Sequence, residues 1–276
     1  MVFRINGEYG YELFAAVPLV NWYKEQGNNV EVYTSVGAGL LYPNIKVNEV
    51  YNQRVQFLHL EIDNELYYKQ FDHVAGVFSK PVVGDKLMWE DKWSPPDLKS
   101  HYKTKFNWVS LNFDKPLLII SNKYQEEWKG DPVNYINLDS LKIIFELCRD
   151  KFHIIYNRPS SENITNDGTP QKVWGDWNLA ETMGITLMQS LQKEYGMDYN
   201  TTQVALLSHC DHHISTQGGN SALTAYFGGE NIIYGVKGYE VKHKAYETFF
   251  PKLSGQKIYH VETYDDLIKK VKNYVN

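Results

Sequence analysis

Residues 217 to 221 read QGGNS and stand between two segments of different periodicity. The preceding run, 212 to 216, alternates and is partly β-branched, which is typical of a strand, whereas 222 to 227 suits a helix. A turn from a strand into a helix lies at the carboxyl edge of a parallel sheet, where N–H groups at the helix N-terminus can bind an anion. The residues predicted to bind this anion are Gln217, Gly218, Gly219, Asn220 and Ser221.

Two cationic side chains follow other predicted strands of the same half of the chain. Lys123 comes shortly after the apolar run 117 to 120, and Arg158 follows the apolar run 152 to 156. Since the carboxyl ends of parallel strands share one edge of a sheet, both cations are expected beside the 217 to 221 turn. A point cation, a guanidinium fork and backbone donors suit a diphosphate, because its charge is spread over several oxygens. Lys123 and Arg158 are therefore predicted to stabilise a diphosphate leaving group.

Two acidic residues are candidates for the uncharged part of the same ligand. Glu240 follows the predicted strand 231 to 236, and a carboxylate at such a position can accept two ribose hydroxyls. Asp176, in the segment WGDW, is a second candidate for contact with a base or a sugar. The alternative interpretation of both is an ordinary acidic side chain with no ligand.

A candidate general base lies in the first half of the chain. Glu8 occupies the turn NGEYG, which follows the predicted strand 2 to 5, and Glu12 comes one helical turn later. Two nearby carboxylates can raise each other's proton affinity towards neutrality. Both could instead complement the positive N-terminus of the helix. Glu8 is the predicted base, and the reserve candidates are Glu12, Asp72 and His73.

Strand-like and helix-like segments alternate in both halves, which predicts an α/β protein with a parallel sheet in each half. The first half begins with a strand, a helix over 11 to 26 and a second strand over 29 to 34. The second half contains a helix over 138 to 149 that Asn137 or Asp139 caps. We expect a domain of residues 1–114 on the acceptor side and a nucleotide-binding domain of residues 115–276, with a cleft between them. The last predicted helix, 264 to 275, is expected to pack back on the first domain.

Composition limits the classes of partner. The 276 residues carry a net charge of −5, which does not favour nucleic acid or an anionic membrane. No apolar run reaches the length of about 20 residues that spans a bilayer, and no signal peptide is recognisable, so a cytoplasmic protein is expected. The two cysteines, Cys148 and Cys210, are expected to be reduced and buried.

No metal cofactor is expected from the residue pattern. The sequence contains no D-x-D pair, which is the usual arrangement for bridging a diphosphate with Mg²⁺ or Mn²⁺. His209, His212 and His213 are close in sequence, but adjacent strand residues point to opposite faces of a sheet. Structural roles are therefore favoured for these histidines.

The segments IISNKYQEEW (119 to 128), IIYNRP (154 to 159) and HHISTQGGNSALTAYFGGENIIYGVKGYE (212 to 240) resemble nucleotide-sugar-dependent glycosyltransferases of the GT-B architecture. The nearest likeness is to small enzymes that build surface glycans in bacteria and large DNA viruses, and GEYGYELF (7 to 14) is a weaker match. The resemblance implies two Rossmann-like domains facing a cleft, a nucleotide-sugar donor on the C-terminal domain and a glycan acceptor on the N-terminal domain.

The resemblance also bears on the reaction. The glutamate pair of retaining enzymes, with seven intervening residues, is absent from the sequence, which favours inversion. The likeness to viral enzymes indicates a uridine diphosphate donor that carries a pentose such as xylose.

Two other functions, an epimerase and a binding module, are compatible with parts of the pattern, whereas a dehydrogenase is disfavoured. A dehydrogenase would need G-x-G-x-x-G, but Tyr42 stands where the third glycine of the run that starts at Gly37 should be. A nucleotide-sugar epimerase would share the diphosphate site and differ in its acids and bases. A binding module for glycans or nucleotides would use the aromatic residues, which make up 14% of the chain, without a catalytic base.

Overall fold

A computed structural model of the protein describes residues 1–69, 91–109, 113–127, 130–160 and 174–275. The chain forms two compact units, of which the first comprises Met1–Leu98 and the second begins at Lys99. The predicted α/β class is confirmed, since each unit contains a sheet and helices. The predicted boundary of independent domains between residues 114 and 115 stays a prediction.

The N-terminal sheet has the strand order β3-β2-β1-β4-β5. Its strands are β1 (Val2–Gly7), β2 (Glu31–Ser35), β3 (Lys46–Tyr51), β4 (Leu58–Ile62) and β5 (Glu65–Lys69). The first three strands are parallel, but β4 runs antiparallel to β1 and to β5. The expectation of a wholly parallel sheet in this half is therefore wrong at β4 and β5.

A two-residue turn explains the antiparallel hairpin. Asp63 and Asn64 both have positive φ, 51° and 69°, which is the conformation that a tight hairpin requires at both central residues. Aspartate and asparagine tolerate this left-handed region better than most residues. The dipeptide between two alternating runs was thus a usable hairpin signal in the sequence.

One continuous helical segment follows β1. It consists of α1 (Tyr9–Tyr11), a π-helical turn (Glu12–Ala16) and α2 (Val17–Glu25). All five residues of the π-helical turn are buried. Such turns are rare and occur frequently at functional sites. A short 3₁₀ helix, Gly39–Leu41, follows β2.

The C-terminal sheet is parallel throughout, with the strand order β11-β10-β9-β6-β7-β8. Its strands are β6 (Leu117–Ser121), β7 (His153–Asn157), β8 (Thr186–Leu187), β9 (His212–Thr216), β10 (Glu230–Tyr234) and β11 (Lys257–Val261). Ser121 pairs with Asn157 on one side and with Ser215 on the other. The carboxyl ends of β7, β6 and β9 therefore lie level at one edge.

The helices outside the N-terminal segment are α3 (Leu98–Lys105), α4 (Leu138–Cys148), α5 (Asp176–Thr182), α6 (Met188–Tyr195), α7 (Tyr199–Ser208), α8 (Gly219–Thr224), α9 (Tyr239–Lys242), α10 (Ala245–Thr248), α11 (Pro251–Ser254) and α12 (Tyr264–Val275). Asn137 caps α4 by accepting the Ser140 N–H at 2.8 Å. The last helix, α12, packs against α4 and β10 of its own unit. Within the described ranges, every helix is too short or too polar to cross a bilayer.

The core of the C-terminal unit lies between this sheet and the helices α4 and α12. Leu141, Ile144 and Phe145 of α4 are fully buried against Ile120 and Tyr156 of the sheet. Cys148 and Cys210 are free and buried, as the sequence predicts. Burial raises the pKa of each of these thiols to about 12, so both remain protonated at neutral pH.

His213 of β9 makes stability depend on pH. Its ring is 1% exposed, and burial lowers its pKa to about 3. An unfolded histidine titrates near pH 6.5, so protonation below that pH favours unfolding until the folded pKa is reached. We expect the free energy of unfolding to lose about 2 kcal/mol from this group between pH 7 and pH 5.

The prediction is tested with His213→Leu, whose side chain is close to histidine in volume and cannot be protonated. Urea unfolding of wild type and variant between pH 7 and pH 5 should show a smaller loss of stability in the variant. Equal pH dependence of the two proteins would contradict the assignment.

Candidate functional site

Lys123 and the turn after β9 meet at the carboxyl edge of the C-terminal sheet. The Nζ atom of Lys123 lies 3.4 Å from the position that a Cβ atom on Gly218 would occupy. The Lys123 side chain is 18% exposed, so its ammonium group is partly withdrawn from water. The structure thus brings these two sequence-predicted features together, with a cation beside the first residues of α8.

The backbone of this turn requires glycine and leaves donors unused. Gly218 has φ of 131°, which a residue with a side chain rarely adopts. Among the described residues, the N–H groups of Gly219, Asn220 and Ser221 have no hydrogen-bond partner. Three adjacent backbone donors and a nearby ammonium group form a positive environment suited to an anion.

Two side chains of the turn point elsewhere than the sequence predicts. Ser221 is fully buried, and its hydroxyl donates to the carbonyl of Gly218 at 2.8 Å. The Asn220 side chain accepts from Gln203 at 3.1 Å. Among the described residues, the donors of the turn that remain unpaired are therefore backbone N–H groups, and the Ser221 hydroxyl stabilises the turn itself.

Gln217 connects the turn to the loop after β10. Its side chain is 4% exposed and donates to Oε2 of Glu240 at 2.7 Å. Burial raises the pKa of Glu240, although nearby Lys123 and the bond from Gln217 act in the opposite direction. Gln217 thereby orients the carboxylate that the sequence assigns to ribose hydroxyls.

A second link joins the loop after β6 to the loop after β10, and it involves two residues that sequence reasoning missed. Glu127 accepts from the Lys123 ammonium group at 2.9 Å and from the Asn134 side chain at 2.8 Å. Asn134 is fully buried, donates to the carbonyl of Lys237 at 2.9 Å and accepts the Val236 N–H at 2.8 Å. The spacing of four residues between Lys123 and Glu127 was a weak sequence signal for the ion pair, whereas Asn134 had none.

Three aromatic rings support the loop that carries Lys123. Tyr124 stacks on Trp174 with centroids 4.7 Å apart, and Tyr135 packs edge-on against both. Tyr124 and Tyr135 directly follow Lys123 and Asn134 in sequence. The rings therefore fix the two ends of the loop that positions the ammonium group, which gives part of the high aromatic content a structural role.

Arg158 and Asp176 form a buried ion pair next to this site. Arg158 is 4% exposed, and its Nε atom donates to the fully buried carboxylate of Asp176. The same carboxylate accepts from the Tyr156 hydroxyl at 2.7 Å, and the Arg158 guanidinium lies 4.0 Å from the centre of the Trp177 ring. In this structure Asp176 contacts Arg158 rather than the surface where a base or sugar would bind. Its role as a ligand contact stays a prediction.

In the N-terminal unit, Glu8 lies at the end of β1 and precedes α1. Its Oε1 atom accepts the Phe57 N–H at 2.9 Å, and its own N–H donates to the Phe57 carbonyl at 2.7 Å. Gly7 permits this close approach, because a Cβ atom there would collide with the Phe57 carbonyl. The Glu8 side chain is held in place and stays partly exposed.

Glu12 has a different environment, since it is fully buried in the π-helical turn. One carboxylate oxygen accepts from Thr34 at 2.5 Å and from Tyr42 at 2.8 Å. The other accepts from Arg54 at 2.5 Å, and Arg54 also donates to the carbonyl of Gly7 at 2.8 Å. These four donor contacts tie the helix to the turn that carries Glu8.

The glycine-containing loop after β2 already holds a carboxylate of the same chain. Glu49 accepts the N–H groups of Gly37 and Gly39 at 2.9 and 2.8 Å. The loop is thus stabilised internally, which gives no support to a dinucleotide site there.

The last points concern the two reserve bases and possible metal ligands. The reserve bases Asp72 and His73 lie outside the described residues. Within the described part of the chain, no group of three or more His, Cys, Asp or Glu side chains could hold a metal ion.

Comparison with known proteins identifies the fold. No protein-family model and no curated protein matches the sequence. The structure is similar to the E. coli ADP-heptose lps heptosyltransferase II, with a TM-score of 0.54 and 9% identity over 99% of this chain and 97% of that chain. It is also similar to a glycosyl transferase family 9 protein from Veillonella parvula, with a TM-score of 0.52 and 9% identity over 98% of this chain and 88% of that one.

At 9% identity these similarities are evidence of fold alone. They confirm the predicted fold class, an α/β protein with two Rossmann-like domains of the GT-B type.

Proposed function

We propose that this protein is a glycosyltransferase that binds the diphosphate of a nucleotide sugar at Lys123 and the first residues of α8. The observation that carries the proposal is that the N–H groups of Gly219, Asn220 and Ser221 lack a hydrogen-bond partner among the described residues, with the Lys123 ammonium group beside Gly218. Support of a second kind comes from fold, because the two solved structures reported above are named as a heptosyltransferase and a glycosyl transferase.

The chemistry of transfer follows from this placement. When the bond between the sugar and the diphosphate breaks, negative charge increases on the leaving oxygen. Lys123 and the backbone N–H groups would stabilise that charge with donors that are already in place. We propose that these groups replace the metal ion that D-x-D enzymes use, and that Glu240 accepts ribose hydroxyls. The charge of Arg158, which follows the neighbouring strand, is balanced by Asp176, so Lys123 is the main cation of the proposed site.

We propose an inverting reaction in which Glu8 takes the proton of the acceptor hydroxyl. Glu8 is partly exposed, and its carboxylate accepts the Phe57 N–H. Glu12, by contrast, is fully buried and accepts from Thr34, Tyr42 and Arg54. A fully buried carboxylate such as Glu12 is out of reach of an acceptor hydroxyl, so Glu8 is the better candidate. The donor is a nucleoside diphosphate sugar, for which a uridine nucleotide and a pentose are our first choice, and the acceptor is a glycan.

The binding site is tested with Gly219→Val. Gly219 is the first residue of α8 and is not among the glycines with positive φ, so the variant is expected to fold. Its side chain would occupy the space in front of the unpaired N–H groups. For wild type we expect a nucleoside diphosphate at a hundredfold excess over its Kd to stabilise the protein by about 2.7 kcal/mol, and for Gly219→Val we expect that stabilisation to disappear.

Thermal unfolding with ADP, UDP, GDP, CDP and dTDP measures this effect. Gly10→Val is the matched control, because its new Cβ would meet Phe14 at an ordinary 3.7 Å in the other unit. A folded Gly219→Val protein that nucleotides stabilise as well as wild type would place the site elsewhere.

The base is tested with Glu8→Gln, which preserves shape and removes basicity. We expect the rate of nucleotide release from the best nucleotide sugar, with water or a glycan as acceptor, to fall about a hundredfold. The affinity for the nucleotide sugar should stay within about twofold, since the lost interaction acts in the transition state.

Glu12→Gln is the companion variant. It should lower the free energy of unfolding by about 3 kcal/mol, because it removes the carboxylate of the buried ion pair between Glu12 and Arg54. If Glu12→Gln were as stable as wild type and inactive while Glu8→Gln stayed active, the role of base would pass to Glu12.

A further inference from the structure

The proposed anion site contains a carboxylate that charge complementarity alone would not place there. The Glu127 side chain is 8% exposed and lies 2.9 Å from the ammonium group of Lys123. Lys123 is also the cation nearest to Gly218 at the start of α8. A diphosphate that binds there must share Lys123 with Glu127 or displace it.

The surroundings of Glu127 explain why a neutral amide would not serve in its place. The Asn134 amide is fixed in orientation, because its oxygen accepts the N–H groups of Val236 and Lys237 and its nitrogen donates to the Lys237 carbonyl. That nitrogen also donates to Oε2 of Glu127, while Lys123 donates to Oε1. The position therefore needs two acceptor oxygens, which a carboxylate has and a glutamine lacks.

The charges predict how this arrangement responds to a ligand. Before a ligand binds, Glu127 compensates the charge of the partly buried Lys123 ammonium group. When a diphosphate approaches, the two negative groups compete for Lys123 and repel each other across a poorly solvated space. The competition weakens binding of the diphosphate, whereas the position of Lys123 beside Gly218 is set before the ligand arrives.

We infer that Glu127 is an exchangeable counter-ion of Lys123: it holds the ammonium group in place before a ligand binds and lowers the affinity for the nucleoside diphosphate product, which promotes product release. The inference rests on the proposed function and deepens it. Glu127 is a positioning residue, since it acts through Lys123.

The test compares the affinities of four proteins for UDP and ADP by titration calorimetry at low salt. Glu127→Gln removes the charge and should bind the better nucleotide about tenfold more tightly than wild type. Glu127→Asp keeps the charge and should show no such gain. Glu146→Gln, an exposed residue of α4, makes the same change of net charge at a remote position and should bind as wild type does.

A double-mutant cycle shows whether the effect passes through Lys123. In a Lys123→Ala background, most of the gain from Glu127→Gln should disappear, because no ammonium group remains to be released. Thermal unfolding of each variant without nucleotide checks that the loss of an Asn134 contact has not unfolded the protein. If Glu127→Gln does not fold, the affinity of Glu127→Asp decides, since it should not exceed that of wild type.

The outcomes separate this inference from the proposed function. Binding by wild type that is unchanged or weakened in Glu127→Gln overturns the counter-ion role and leaves the nucleotide site intact. A tenfold gain that persists in full without Lys123 also overturns it. If neither wild type nor Glu127→Gln binds any of the five nucleoside diphosphates named above, both the inference and the proposed function fail.

Discussion

The pair of hydrogen bonds that Asn134 and Gln217 donate to glutamates determines the arrangement of the candidate site. Asn134 connects Glu127 to the backbone after β10, and Gln217 connects the turn after β9 to Glu240. Three loops that leave separate strands are thereby held together by buried side chains. The strands supply a level edge, but without these bonds the loops would be free to move apart. Lys123 keeps its place beside Gly218 because its partner Glu127 is itself fixed.

In the N-terminal unit, buried hydrogen bonds to the Glu12 carboxylate likewise hold separate segments together. Glu12 accepts from three side chains, and one of them, Arg54, continues to the carbonyl of Gly7. The buried carboxylate thus stabilises the turn at the end of β1, where Glu8 is partly exposed. Of the two carboxylates that lie close in sequence, one has a structural environment and the other has the exposure that proton transfer requires.

The sequence predicts features that depend on neighbouring residues better than it predicts contacts between distant ones. Periodicity and turn residues predict β9, the glycine turn and the position of Lys123, because these features depend on neighbours in sequence. The direction of a side chain depends on the tertiary structure instead. The inward orientation of Ser221 and the pairing of Arg158 with Asp176 were therefore not predicted. Asn134 forms hydrogen bonds with the backbone of Val236 and Lys237, about a hundred residues away in sequence. No local pattern in the sequence can indicate such a contact. The hairpin of β4 and β5 was missed although its turn dipeptide was readable.

The central claim is that the carboxyl edge of the C-terminal sheet binds a nucleoside diphosphate. Hydrogen exchange with mass spectrometry tests it directly, because the N–H groups of Gly219, Asn220 and Ser221 have no partner among the described residues and should exchange quickly without nucleotide. Saturating UDP or ADP should slow exchange in peptides that cover 217 to 221, 122 to 127 and 235 to 240. Unchanged exchange in all three segments in the presence of every common nucleoside diphosphate, or protection only around residues 37 to 39, would contradict the claim.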